Sequence, residues 1–192
     1  MLLSTTKPLR FLPLFVLAAS LFGSALLCSK CQADTVGNEK IGDVRVGVYY
    51  LANSTVRQTY SSAIASFGLD YTVGESIGTS RTVIGVDYIQ KGDHATKLQI
   101  VPVTISQQYY HTITGTDFTP YGEVGLGAYF LQADDPNNQS LNGTHNETAV
   151  GGFVGGGFDL TSSAFLDLRY HFIGNIQGDD PSGYELTVGL RF

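Results

Sequence analysis

From Tyr184 to Phe192 the chain reads Tyr-Glu-Leu-Thr-Val-Gly-Leu-Arg-Phe, apolar and polar residues alternating without a break. Side chains of an extended strand point to opposite faces in turn. Tyr184, Leu186, Val188, Leu190 and Phe192 therefore share one face, and Glu185, Thr187, Gly189 and Arg191 share the other. A helix cannot sort residues this way, because its period is 3.6. The pattern alone leaves open which face meets water.

Seven further segments alternate in the same manner, each bounded by turn residues. They lie at about 42–51, 62–72, 81–90, 97–110, 120–131, 148–160 and 165–173. In the first, Val44, Val46, Val48 and Tyr50 oppose Asp43, Arg45 and Gly47. In the seventh, Leu166, Leu168, Tyr170 and Phe172 oppose Asp167, Arg169 and His171. Pro102 removes one ladder donor from the fourth segment, so a bulge is expected there. No segment after residue 33 carries helical periodicity. The expected fold is all-β, an eight-stranded antiparallel up-and-down transmembrane barrel.

The first 33 residues carry a different signal. Lys7 and Arg10 precede an apolar run from Phe11 to Leu27, and Cys31-Gln32-Ala33 supplies a small-x-small cleavage pattern. A retained helical anchor is the competing reading, disfavoured by Pro13 and the polar stretch that follows the run. Neither Cys28 nor Cys31 follows a small residue, as a lipoprotein signal requires. The expected division is an export signal at 1–33 and one barrel domain at 34–192. Cleavage takes away both cysteines, and with them disulfide and thiol chemistry. Lys7, Arg10 and Lys30 leave too, taking the formal charge from −6 to −9. An acidic chain of this kind is a poor partner for nucleic acid.

An even strand number places both chain ends on one side, as a single-chain outer-membrane barrel requires. The connections at 52–61, 91–96, 132–147 and 174–183 then face outward, and two of them are long and polar. The turn at 111–119 is longer than this scheme favours. The rival architecture is a secreted barrel of lipocalin type, or a sandwich, with the apolar face inside. Three features oppose it. Lys40, Lys91 and Lys97 sit at strand ends, whereas mid-strand charges are Asp, Glu and Arg, which pair well in a packed lumen. The polar face is rich in glycine, which suits a narrow interior. Tyr and Phe recur near strand ends, where membrane barrels carry aromatic girdles.

Pro102-Val103-Thr104, Tyr109-Tyr110, and Pro120-Tyr121 leading into Gly125-Leu126-Gly127-Ala128-Tyr129-Phe130 resemble small eight-stranded outer-membrane proteins. The similar families are the OmpA-like barrel domain and the outer-membrane protein W family. Gly122 and Glu123 depart from the family's usual fifth strand, and the departure puts a carboxylate on the polar face. The terminal ladder ending on Phe192 likewise resembles the closing strand that the outer-membrane assembly machinery reads. That resemblance implies location in the outer membrane and lipid as the surrounding partner.

The polar faces of the strands converge on a lumenal network in which Asp43, Arg45, Asp70, Asp87, Glu123, Asp159, Asp167, Arg169, His171, Glu185 and Arg191 are expected to pair. Charges buried in a narrow barrel must do so. Arg169, with its rigid donor fork, is expected to hold Asp167 and Glu185 together. His171 also resembles the histidine of lipid A deacylases, whose motif places a serine two residues later and a glutamate downstream. Here that serine position is Ile173, and without a nucleophile the triad logic fails. His94, His111 and His145 show no metal-site spacing. The glycines at 151–152 and 155–157 lack the Lys-Ser/Thr ending of a phosphate loop. No catalytic, metal or cofactor site is therefore expected. The expected role is structural or surface-interacting, with loops 132–147 and 174–183 meeting an extracellular ligand. A narrow conduit for small apolar molecules is the second reading, and a lipid A-modifying enzyme the third.

Overall fold

The computed structural model describes residues 40–77, 80–92, 97–111, 119–134, 145–175 and 180–192. The expected signal at 1–33 lies outside them, as do 112–118 and 135–144. Eight strands form one closed antiparallel barrel in sequence order. They are β1 (Gly42–Leu51), β2 (Ala63–Ile77), β3 (Ser80–Gly92), β4 (Lys97–Tyr110), β5 (Thr119–Asp134), β6 (His145–Asp159), β7 (Ala164–Ile173) and β8 (Gly183–Arg191). Val46 sits beside Phe67 of β2 and Val188 of β8, so β1 closes the ring. Closure satisfies every strand edge, which an open sheet of this length would leave bare.

Around the seam the chain ends lock together. Ile41 N–H donates to Phe192 O at 2.9 Å, and Phe192 N–H donates to Gly42 O at 2.9 Å. Lys40 Nζ reaches Ser163 Oγ at 2.8 Å in the β6–β7 turn. Thr161 Oγ1 shapes that turn by accepting from the N–H of Ser163 and of Ala164.

The alternation places apolar residues outside. Val46 is 52% exposed, Leu126 68% and Leu190 57%, and the other outward apolar side chains of these strands resemble them. An exposed apolar belt of this extent is far larger than a water-soluble monomer carries. Tyr71, Tyr109 and Phe192 mark its rim at the seam-turn end, and Tyr50, Phe172 and Tyr184 mark the other.

The structure corrects three expectations about the strands and their connections. A short helix, α1 (Ser54–Tyr60), fills the β1–β2 connection. Asn53 caps it, its side chain accepting from Thr55 N–H at 2.8 Å and Val56 N–H at 3.4 Å. Two turns are too few for periodicity to register. α1 ends at Ser61, the one non-glycine with positive φ among the described residues (φ 102°, ψ 155°). That region is essentially reserved for glycine and costs a serine roughly 1–3 kcal/mol.

The second correction concerns Pro102. The β3–β4 register is the same at Val86–Val103 and Ile89–Ile100, so no residue is inserted. Only the pairs opposite Pro102 and Val101 lapse, as expected when one N–H is missing. The register shift falls instead on the β2–β3 pair, between Val73 and Ile77. In addition, β5 and β6 run to Asp134 and from His145, so the expected loop at 132–147 begins and ends within strand.

Candidate functional site

The lumen is built from inward positions of all eight strands. All eleven residues expected there face inward. Ten are buried, and Asp159 keeps 21% of its side chain exposed. They form three tiers, starting from the end that carries Phe192.

In the first tier Arg81 donates from Nη2 to Asp43 Oδ2 at 2.5 Å and from Nε to Gln108 Oε1 at 2.8 Å. Arg191 Nη2 lies 3.1 Å from Asp159 Oδ1, and its Nη1 contacts the Tyr110 hydroxyl at 2.5 Å. The Arg191 guanidinium also lies over the rings of Phe165 and Tyr121, at 4.6 and 5.0 Å. A guanidinium held over two rings and a carboxylate at once is not interchangeable with a lysine ammonium.

The second tier is the charge centre. Arg45 spans two neighbouring strands. It pairs with Asp70 on β2, and donates to Asp87 on β3 from Nε at 3.1 Å and from Nη2 at 2.5 Å. Gly68 makes the room, because a Cβ there would overlap the Asp87 carboxylate and the Arg45 side chain. Arg169 pairs with Glu123 through Nε, donates from Nη2 to Glu123 Oε2 at 3.1 Å, and lies 2.7 Å from Asp167 through Nε. That last contact is an ion pair too poorly aligned to be a hydrogen bond, so both Asp167 oxygens lack a hydrogen-bond partner. Arg169 Nη2 lies 3.5 Å from Asp70, which joins the two arginine clusters. Glu123, the departure from the family pattern, is thus a hub: Gln108 Nε2 also donates to it at 2.9 Å.

In the third tier His171 Nε2 lies 3.1 Å from Glu185 Oε2 and Nδ1 lies 3.1 Å from the Tyr129 hydroxyl. A carboxylate only accepts, so Nε2 carries the proton toward Glu185, while Nδ1 and the Tyr129 hydroxyl share a second hydrogen bond. The imidazole packs against Tyr49, Tyr129 and Phe153 with centroids 5.4–5.9 Å apart, and its exposure is 0%. Glu185 therefore serves His171. The expected clasp of Asp167 and Glu185 by Arg169 is replaced by one of Asp167 and Glu123.

Above the histidine the lumen turns apolar. Tyr49, Leu51, Ile64, Ile89, Leu98, Ile100, Tyr129, Leu131 and Ile173 form one cluster with Val56 and Tyr60 of α1. Pro181 and Ser182 close over the same end. Tyr49 O–H donates to Pro181 O at 2.8 Å, and Ser182 Oγ both accepts from Ile173 N–H and donates to Ile173 O. Ser182 is thereby committed to the backbone.

Sequence reasoning missed Arg81, Gln108 and Tyr129 as network members. Arg81 stands in phase with Asp87 on β3, and that phase was the available signal. No three His, Cys, Asp or Glu side chains converge as a metal would need among the described residues.

No protein-family model matches the sequence, and no curated protein matches it. Solved structures do. Neisserial surface protein A superposes with a TM-score of 0.54 at 17% identity, covering 78% of this chain and 94% of that one. The outer membrane enzyme PagL gives 0.53 at 14% identity, covering 78% and 98%. Ail, the attachment invasion locus protein of Yersinia pestis, in complex with the heparin analogue sucrose octasulfate, gives 0.52 at 13% identity, covering 80% and 99%. Similarity this distant speaks to fold. The chain has the fold of small eight-stranded outer-membrane β-barrels.

Proposed function

We propose that the chain is a non-catalytic outer-membrane scaffold whose α1 end faces outward and presents the connections at 132–147 and 174–183. The observation that carries this is the inversion of polarity, with an apolar wall outside and paired charges inside. Such a wall is stable only against lipid, and a closed barrel is one of the two ways a chain can cross a bilayer. Export through a segment cleaved after Ala33, and capture of the Phe192 strand by the assembly machinery, belong to the same proposal.

A filled lumen supports the scaffold over a conduit. An eight-stranded interior has just enough room for its own side chains, and here Arg45 and Arg169 bridge it with carboxylates below an apolar seal. The burial of His171 and the presence of Ile173 at the serine position support a non-catalytic reading. Ail binds a heparin analogue, a polyanion. The outward connections here carry Asp134, Asp135, Asp179 and Asp180, so a cationic or neutral partner fits better. Cell fractionation tests the location: the protein is expected with the outer membrane, and soluble periplasmic protein would overturn the proposal.

A further inference from the structure

The charges of the lumen balance in one tier and not in the next. In the first, Arg81 and Arg191 face Asp43 and Asp159, two against two. In the second, Arg45 and Arg169 face Asp70, Asp87, Glu123 and Asp167, two against four. Arg169 alone is shared among Glu123, Asp167 and Asp70. A surplus of two negative charges is costly in a poorly solvated interior, because a carboxylate there has given up its hydration.

One rung of the wall carries buried oxygens that match this surplus. Tyr121, Gly157, Asp167 and Thr187 are register partners in turn across β5, β6, β7 and β8. Gly157 has no side chain, and Tyr121 leans over it, since a Cβ at Gly157 would lie 2.7 Å from the Tyr121 hydroxyl oxygen. The phenol thereby reaches toward the next place on the rung, that of Asp167. On the far side Thr187 lays its methyl over Gly47, so the methyl and not the hydroxyl fills that gap. Asp167, Thr187 and Tyr121 are 1%, 2% and 6% exposed. Both Asp167 oxygens and the two hydroxyl oxygens nevertheless lack a hydrogen-bond partner among the described residues. Arg169 gives Asp167 an ion pair that it must share, and Arg191, over the Tyr121 ring, is matched by Asp43 and Asp159.

We propose that this rung binds one alkali-metal cation, with Asp167 supplying the charge and Tyr121 and Thr187 neutral oxygens. Oxygen ligands select a hard cation. One carboxylate among them suits a single positive charge, whereas calcium draws on more ligands and magnesium keeps several waters. A water molecule would satisfy the hydrogen bonding and leave the surplus charge untouched. The site needs only the barrel interior, so it stands apart from the surface role proposed above.

The full protein is unfolded in urea at fixed ionic strength, with sodium or potassium chloride replacing N-methylglucamine chloride and the folded fraction read from gel mobility. In the wild type, each tenfold rise in the better cation above half-saturation should multiply the folding equilibrium constant by about ten. Asp167→Asn should flatten that dependence, and Thr187→Val should move its half-saturation to higher concentration. Should Asp167→Asn fail to fold, Thr187→Val carries the test. Equal stability of the wild type in all three salts would overturn the site, since water or protons would then suffice. An alkali dependence unchanged by the substitutions would put the ion elsewhere and overturn it too.

Discussion

Arg169 and Glu185 are Cα partners across the β7–β8 ladder, yet their side chains do not pair. Arg169 reaches across to Glu123 on β5, and Glu185 reaches along the hairpin to His171. Inward side chains in a narrow barrel can pass over their register neighbours and reach partners two or three strands away, as Arg169 does to Glu123 and Asp70. The network is therefore transverse, tying β1 to β2 and β3, and β7 to β5. Side-chain bonds of this kind hold the barrel's cross-section while the ladders hold its wall.

Arg169→Ala should cost about 3–5 kcal/mol, because Glu123 and Asp167 are left charged and buried. Arg169→Lys should recover only part of this, since a point charge cannot span both carboxylates. Equilibrium unfolding in detergent micelles, read from the heat-dependent gel shift, measures it. Wild-type stability for Arg169→Ala would mean that this face is wet.

His171→Ala should destabilise by about 2–4 kcal/mol, from the cavity between three rings and the loss of Glu185's partner. Lipid A from cells carrying the variant should match wild type by mass spectrometry. Loss of a lipid A modification with stability unchanged would point to an enzyme.

Gly68→Ala and Gly122→Ala separate the two faces of the wall. A Cβ at Gly68 overlaps the Arg45–Asp87 pair, and overpacking of that kind costs about 1–3 kcal/mol. At Gly122 nothing lies within 4 Å, so alanine should be neutral or slightly stabilising. The same gel-shift assay compares them.

Asn53→Ala should loosen α1 without unfolding the barrel, at about 1 kcal/mol for the lost cap. Hydrogen exchange should quicken in residues 54–60 and stay unchanged in β1 and β8.

In planar bilayers the folded protein should give no large, steady conductance, since charged tiers and the apolar cluster both block the axis. Reproducible porin-like steps would contradict the filled lumen.

Period-2 alternation made the barrel legible, and it located eleven inward network residues from Asp43 to Arg191, though not Arg81. It worked because facing is a local property, set by counting residues along one strand. Pairing is not local. Which carboxylate Arg169 takes depends on the barrel's diameter and on Gly155 making room, and strand-by-strand reading contains neither. α1 stayed hidden because a two-turn helix is specified by its cap and its apolar seat, not by a repeat. Gln108 and Tyr129 were passed over because attention to charge neglects neutral side chains, which here finish the hydrogen bonding of Glu123 and His171.

The inside-out wall is tested most directly by spin labels on single cysteines introduced into the bilayer-reconstituted protein. Labels at Val46, Leu126 and Val188, on the outer face, should be accessible to oxygen, which concentrates in lipid, and shielded from a water-soluble nickel chelate. A label at Ser106, facing the lumen, should be shielded from both. Outer-face labels relaxed by nickel rather than oxygen would mean that the apolar wall stands in water, and would contradict a membrane barrel.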